Sequence, residues 1–436
     1  MEQHEEVILA MKKRIVLIGG GYTSLFAYRN LVKSRKIRKM IAGETLEIVL
    51  ISDRERHYFH GFTGEVITGV FSYDAICTPL TDLFPLATII KGTVTQVSPF
   101  LQSVYYQQDQ LTHECAYDEL VMGTGTVDRV LHDAVPAYTH AIKKPNGLQD
   151  MLDNLNSYLH KLDTFQVGKG TIAVIGGGFT GVEIAANIHT FLEKEKKRHR
   201  VNLQLITKGE TLLPLWARQH PVLYGYTCRQ LKKMHIDVLL NTRIGESVDS
   251  PFTSDHGKAT DHPFIINASG QQKVAITGLH YLMADNGSRY VGNKYLQSEK
   301  AENIWVGGDS SLIAKPFSTS YCPQNALWAI MHGKKIGNNL RRKLLMKKLA
   351  PFRFPGLGLA ANLGGMRGAM ELYGIPFTGP VASILRMGFF LYFFPHKRRL
   401  YRMYWDDRTT GPIEQTPVLQ PGLTELQENK PLKNEG

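Results

Sequence analysis

Arg14–Ser24 reads RIVLIGGGYTS. Four β-formers, Ile15 to Ile18, run into Gly19, Gly20 and Gly21, and the apolar segment Leu25 to Tyr28 that follows has helical character. A continuous apolar run of this kind describes a buried parallel strand. Glycines after it permit a tight turn and a close backbone approach to a pyrophosphate, while the N–H groups opening the next helix supply donors and partial positive charge. One such turn is common, and here the third glycine position holds Ser24. A second copy is decisive: Thr171–Gly181 reads TIAVIGGGFTG, with Gly176, Gly178 and Gly181 in full register. Two dinucleotide cradles in one chain predict an α/β protein that moves electrons between two nucleotides.

At 436 residues the chain exceeds one core, and two or three domains are expected. Its 43% hydrophobic content is enough to fill a sizeable interior. The net charge of +12 calls for an anionic partner. Two clusters carry much of it, Arg341–Lys348 (RRKLLMKK) and His396–Arg402 (HKRRLYR), and the second borders the most apolar stretch, Val381–Phe394 (VASILRMGFFLYFF). That juxtaposition favours a lipid surface over nucleic acid, for which no zinc-finger spacing or RNA-binding signature is present. The stretch falls short of the roughly 18 apolar residues of a spanning helix and contains Arg386, so it should lie on or dip into a membrane. Cys77, Cys115, Cys228 and Cys322 are far apart with no C-x-x-C, which reads as reduced thiols in a cytoplasmic setting. The N-terminal MEQHEEVILAMKKR places acidic residues ahead of basic ones and does not read as a secretory signal. No metal site is expected.

In chain order, a helix from about Ser24 to Lys36 leads through a basic linker to a second strand, Leu46–Ser52. Asp53, beside Ser52, is either a ribose-binding carboxylate or a solvated strand-end residue. His57–Gly69 (HYFHGFTGEVITG) reads as a surface loop capped by Glu65 or as a segment over a planar cofactor. Ile89–Val97 and Ser103–Gln107 alternate as exposed antiparallel strands do. Tyr117–Thr126 (YDELVMGTGT) is a return strand whose Gly123-Thr124-Gly125 loop passes close to a cofactor. A helix around Gly147–Leu162 precedes the second unit, whose own helix, Gly181–Lys194, carries Glu183 in its first turn, where the dipole favours a carboxylate. The next strand, Asn202–Thr207, ends without an acid at the ribose position; Lys208 stands beside a 2′-phosphate or is a solvated turn lysine. Phe264–Gly270 (FIINASG) enters a turn at Ser269 and Gly270, and Asn286-Gly287 suggests a hairpin. Ile304–Ser310 (IWVGGDS) ends in an aspartate turn, and a helix from Asn325 to Arg342 follows. Beyond Pro351 the composition turns Gly-rich and then aromatic, and from Arg408 it is polar, Pro-rich and expected to be disordered.

Taken in order, GGGYTS at 19–24, YDELVMGTGT at 117–126, IGGGFTGVE at 175–183, INASG at 266–270 and IWVGGDSS at 304–311 resemble the two-dinucleotide flavoproteins of pyridine nucleotide–disulfide oxidoreductase fold. The resemblance implies a discontinuous FAD domain (1–145 and 290–350) with an NAD(P) domain (146–289) inserted. A C-terminal membrane-associating region (351–407) and a tail (408–436) complete the chain. It implies FAD contacts from Gly19, Gly21, Tyr22, Thr23, Ser24, Ser52, Asp53, Gly123, Thr124, Gly125, Gly308 and Asp309. Gly176, Gly178, Phe179, Thr180, Gly181, Lys208, Ser269 and Gly270 would bind NADH, with NADPH left open.

Glutathione-reductase-like and sulfide:quinone branches need flavin-proximal cysteines that are missing from the first helix and from residues 124–170. The chain most resembles the type II NADH dehydrogenases, which are monotopic NADH:quinone oxidoreductases. Phe352–Gly364 (FRFPGLGLAANLG) and the segment around Val381–Phe394 are similar to that family's C-terminal strand and anchoring helices. Glu183 would then contact the nicotinamide. The family's quinone-lining glutamines align with Ala326–His332 (ALWAIMH), where Leu327 and Met331-His332 replace them, leaving Gln324, Trp328 or His332 to serve the acceptor. The implied partners are a membrane quinone and a lipid surface at the cytoplasmic face, with a homodimer left open. The alternatives are a non-quinone acceptor or a slow flavin redox sensor.

Overall fold

A computed structural model describes residues 12–131, 139–164, 169–242, 263–284 and 289–395. The strand Lys13–Ile18, with Ile15, Val16 and Leu17 fully buried, lies at the centre of a five-stranded parallel sheet. Across that sheet the order is Ile304–Val306, Glu119–Met122, Lys13–Ile18, Leu46–Ser52 and Thr88–Lys91. Ile15 pairs with Ile48 on one side and Glu119 on the other. A second parallel sheet repeats the plan with Thr139–Ala141, Phe264–Asn267, Gly170–Ile175, Val201–Ile206 and Asp237–Leu239. In both, the strand feeding a glycine turn is the one at which strand order reverses, and open parallel sheets bind ligands beyond the carboxyl ends at that point. The α/β class and the paired Rossmann-type units are therefore as the sequence indicates. The second sheet is formed within the chain between two strands of the first, since Ile304 pairs with Leu120.

Beyond these sheets, Ala360–Asn362, Gly368–Leu372 and Ile375–Gly379 form an antiparallel sheet that leads into the helix Pro380–Phe393. That helix is amphipathic in the reverse of the usual sense. It buries Arg386 while Val381, Ile384, Leu385 and Tyr392, which recur at helical spacing, are exposed. No helix among the described residues is long and apolar enough to cross a membrane.

Several expectations need correction. The basic linker after the first helix is itself a helix, Arg35–Ala42, because Ile37 at its centre finds a fully buried site while its basic neighbours stay outside. Thr88–Lys91 is a parallel edge strand of the first sheet; only Thr93–Ser98, Ser103–Gln108 and Leu111–Ala116 form the antiparallel meander. Thr139–Ala141 pairs with Phe264–Asn267, so the second sheet recruits chain from before residue 146. Glu65 caps no surface loop: it is buried in the short helix Thr63–Ile67. Glu183 lies past the first helical turn, because the helix begins at Phe179, two residues earlier than the glycine spacing suggests. The Asn286-Gly287 turn, the His396–Arg402 cluster and the tail from Arg408 lie outside the described residues.

The first glycine-turn helix, Tyr22–Val32, packs along Ala326–Leu344. The approach depends on Gly333 and Gly337, one turn apart: a methyl group on Gly337 would overlap the Ala27 carbonyl, and one on Gly333 the Thr23 carbonyl. Because backbone cannot give way as a flexible side chain can, Gly337→Ala should cost about 1–3 kcal/mol, the usual range for overpacking. Denaturant unfolding would show it as a lower midpoint at unchanged slope.

Candidate functional site

One cavity of about 710 Å³ opens at the carboxyl ends of the first sheet and extends to the helix that follows the second glycine turn. Gly19, Gly20, Gly21, Tyr22 and Thr23 form one wall. Gly19 adopts a φ of +83°, and a Cβ there would lie 2.8 Å from the Gly123 carbonyl oxygen. Gly123, Thr124 and Gly125 line the cavity beside that turn. Ser24 sits behind the turn, its Oγ donating to the Ile18 carbonyl at 3.4 Å. Ser52 and Asp53 line the cavity, Ser52 Oγ accepting from the Arg54 N–H at 3.2 Å.

Asp309 enters from the turn after Ile304–Val306. Its Oδ2 is 3.5 Å from Lys143 Nζ, which also donates to Thr126 Oγ1 at 3.1 Å. The other carboxylate oxygen, Oδ1, is buried without a partner among the described residues, and Asp309 lines the cavity. A buried acceptor with nothing to accept calls for a ligand hydroxyl or N–H. A tight glycine turn, a helix N-terminus and a carboxylate with one unpartnered oxygen around one cavity suit the ribityl and pyrophosphate parts of FAD.

The turns are braced by two neutral histidines. His57 Nδ1 donates to the Gly20 carbonyl at 2.9 Å, and His332 Nδ1 accepts from the Gly308 N–H at 3.1 Å. Burial lowers His57 to about 4 and His332 to about 3. His332 and Trp328 thus do not reach the cavity, contrary to expectation. They face inward from the helix Ala326–Leu344 toward Phe352 and Phe354, with His332 4.8 Å from Phe352 and Trp328 5.0 Å from Phe354 between ring centroids. Leu327 and Gln324 do line the cavity, although Gln324 Nε2 is donated to the Asp309 carbonyl at 2.6 Å.

At the second turn, Gly176 has a φ of +129° and passes directly over the Ala268 backbone, while Gly181 is buried against Gly176. Gly178 is exposed. Phe179, Thr180, Glu183 and Gly270 line the cavity, whereas Ser269 turns its hydroxyl to Asn267 Oδ1 at 2.7 Å. Lys208 is exposed and lies outside the cavity lining. Leu327, Leu359, Leu372, Phe389 and Phe390 also line the cavity, with Arg386 4.8 Å from the Phe390 ring.

Sequence reasoning missed Lys143 as part of this region; His57 and His60 belong to the segment His57–Gly69, read from sequence as either a surface loop or a cover for a planar cofactor, and both line the cavity. Arg386, which also lines the cavity, was visible as the single charge in an apolar run, but its role was not. None of the four cysteines forms a disulfide, and burial pushes the Cys322 thiol up to about 12.

A fold of two Rossmann-type sheets around one elongated cavity defines a two-dinucleotide oxidoreductase. The pattern of the family described as pyridine nucleotide-disulphide oxidoreductase matches residues 13–333, and the chain belongs to that family. It is 25% identical over 395 residues to the demethylphylloquinone reductase of Synechocystis sp., covering 88% of this chain and 93% of that one. To the type II NADH:quinone oxidoreductase of Staphylococcus aureus it is 21% identical over 405 residues, covering 86% and 93%. Among solved structures, NDH2 from Plasmodium falciparum in complex with NADH superposes with a TM-score of 0.76 at 15% identity, covering 91% and 98%. The sulfide:quinone oxidoreductase of Aquifex aeolicus gives 0.66 at 18%, covering 91% and 95%.

The buried histidines give the fold a pH dependence of definite sign. Both are depressed in the folded chain, so the unfolded chain binds protons first as pH falls below about 6.5. Stability should therefore be full above that value and decline toward pH 4. His332→Gln, which retains an acceptor without a proton-binding ring, should flatten the slope of unfolding midpoint against pH.

Proposed function

We propose that this chain is an FAD-dependent NAD(P)H:quinone oxidoreductase of type II. The observation that carries the reading is one cavity lined both by the first glycine turn and by Leu327, Phe389 and Phe390, the last two on a helix whose exposed face is apolar. The names of the relatives in Synechocystis and Staphylococcus support a quinone as the acceptor. FAD would be held by Gly19–Thr23, Ser52, Asp53, Gly123–Gly125, Gly308 and Asp309. When bound, it supplies a hydride acceptor for the nicotinamide and a two-electron donor for the quinone.

The rest is positioning by the protein. The N–H groups of the helix opening at Tyr22 would serve the pyrophosphate, and Lys143 sets a cation beside Asp309. Phe179, Thr180, Glu183 and Gly270 support the nicotinamide nucleotide on the second unit. No carboxylate occupies the ribose position at the end of Val201–Ile206, where Thr207 and the exposed Lys208 come next, so NADH and NADPH are both compatible with this end. Leu327 and its apolar neighbours would receive the quinone ring without the amide hydrogen bonds its relatives' motif provides. The domains follow the same reading, with FAD on the first sheet, nucleotide on the second, which takes in Thr139–Ala141, and the exposed face of Pro380–Phe393 at the membrane.

In this reading the protein is peripheral to the membrane's cytoplasmic face. Val381, Ile384, Leu385 and Tyr392 point outward, and Lys334 stands 4.7 Å from the Phe393 ring at the border. Burying one such side chain is worth roughly 1.5–3 kcal/mol, so Ile384→Glu with Leu385→Glu should weaken binding to anionic vesicles at least tenfold in a flotation assay.

The activity test is anaerobic stopped-flow mixing. Purified protein should be yellow, be bleached by NADH or NADPH, and be reoxidised by ubiquinone or menaquinone analogues. Bleaching without quinone reoxidation would refute the acceptor. Asp309→Ala should retain little flavin, since losing a hydrogen bond to a charged group costs about 1.5–3 kcal/mol. The flavin-to-protein absorbance ratio after gel filtration checks it.

A further inference from the structure

Arg386 is the only charged residue of the helix Pro380–Phe393, and it points inward with 6% of its surface exposed. Its Nη1 donates to Glu65 Oε1 at 2.6 Å and its Nη2 to the Gly61 carbonyl at 2.7 Å, while Nε stands 4.0 Å from Glu183 Oε1. Asn362 ties the two carboxylates together. Its N–H donates to Glu183 Oε1 at 2.7 Å and its Nδ2 to Glu65 Oε1 at 3.0 Å. One cation therefore serves two acids, and both Glu183 and Arg386 line the cavity.

Such a cluster is a poor stabilising device. Desolvating an ion pair offsets most of its attraction, and a second, half-buried carboxylate adds to the cost. An apolar pair of similar volume would pack these elements as well. What the cluster does achieve is control of Glu183. Burial raises that carboxyl, Arg386 lowers it, and Glu65 raises it again. The charged groups acting on Glu183 are these two, from Pro380–Phe393 and Thr63–Ile67; the strand Ala360–Asn362 contributes only the Asn362 N–H. Arg367 is engaged with Thr190 two turns along the same helix, and Lys194 with the Thr68 carbonyl.

We propose that Arg386 is a positioning residue that, clamped by Glu65, sets whether Glu183 at the cavity wall carries a proton. The proposal rests on the reading of this cavity as the redox site, where reduction of a quinone to a quinol takes up two protons with two electrons. The charge of a carboxyl in that wall then bears on the acceptor step.

The test is a pH titration of the FAD-loaded, oxidised protein by infrared difference spectroscopy, following the protonated-carboxyl band that Glu183→Gln removes. Glu65→Gln deletes the competing acid and leaves Arg386 to Glu183, so the band should titrate lower, by about one pH unit or more. Arg386→Met deletes the cation and should move it upward, and Arg386→Lys should restore part of the shift. Equal titration of Glu183 in unaltered protein and folded Glu65→Gln would overturn the proposal, even if Arg386→Met failed to fold. The pH profile of quinone reoxidation should move in the same directions as the band. The infrared arm needs no turnover: if quinone is not the acceptor, reoxidation fails while the band still shifts.

Discussion

At Gly19 and Gly123 two backbones pass at a separation that leaves no room for a side chain. This contact aligns the carboxyl ends of Lys13–Ile18 and Glu119–Met122 and aims the helix Tyr22–Val32 across the cleft between them. The second unit repeats the device at Gly176 over Ala268. The cavity exists because both turns are built from backbone alone, and the remaining walls are added to that frame. Histidines held neutral by burial then serve as plain hydrogen-bond partners, one donating to Gly20 and one accepting from Gly308. In a site meant for polyanionic ligands, neutral braces fix the turns without competing for the phosphates.

The rim toward the helix Pro380–Phe393 follows a different logic. Its aromatic side chains interlock, with Phe390 6.0 Å from both Phe59 and Phe62 and Phe394 5.1 Å from Phe59, and they enclose the single Arg386–Glu65 pair. Aromatic edges and faces provide a low-dielectric surround in which the pair's hydrogen bonds are strong. The helix is thereby tied to the first glycine-turn unit through Gly61 and Glu65 and to the second through Glu183.

What could be read from the sequence was what is local. The glycine turns, the aspartate of IWVGGD and the strands before them are specified by neighbours within a dozen residues, and the structure forms them as expected. Trp328 and His332 were misplaced for a readable reason: they recur at i and i+4 with Ile336 and Leu340, which marks the buried face of their helix. Arg386 and Glu65 lie 321 positions apart, and Lys143 and Asp309 166 apart. Nothing in one sequence couples such positions, because their meeting depends on how separate elements dock. Arg35–Ala42 was taken for a linker because one buried isoleucine among basic residues gives a period too short to register.

The interleaving of the two sheets also bears on how the chain is made. The edge strand Ile304–Val306 and the aspartate beside it leave the ribosome well over a hundred residues after Glu119–Met122, to which the strand pairs. During synthesis the N-terminal sheet must therefore wait, one edge open, while the inserted unit emerges and folds. Pairings of such sequence separation form slowly and leave hydrophobic surface accessible in the interim. The nascent chain depends on protection of that edge, and its prosthetic group can be captured in full only after Asp309 has been translated.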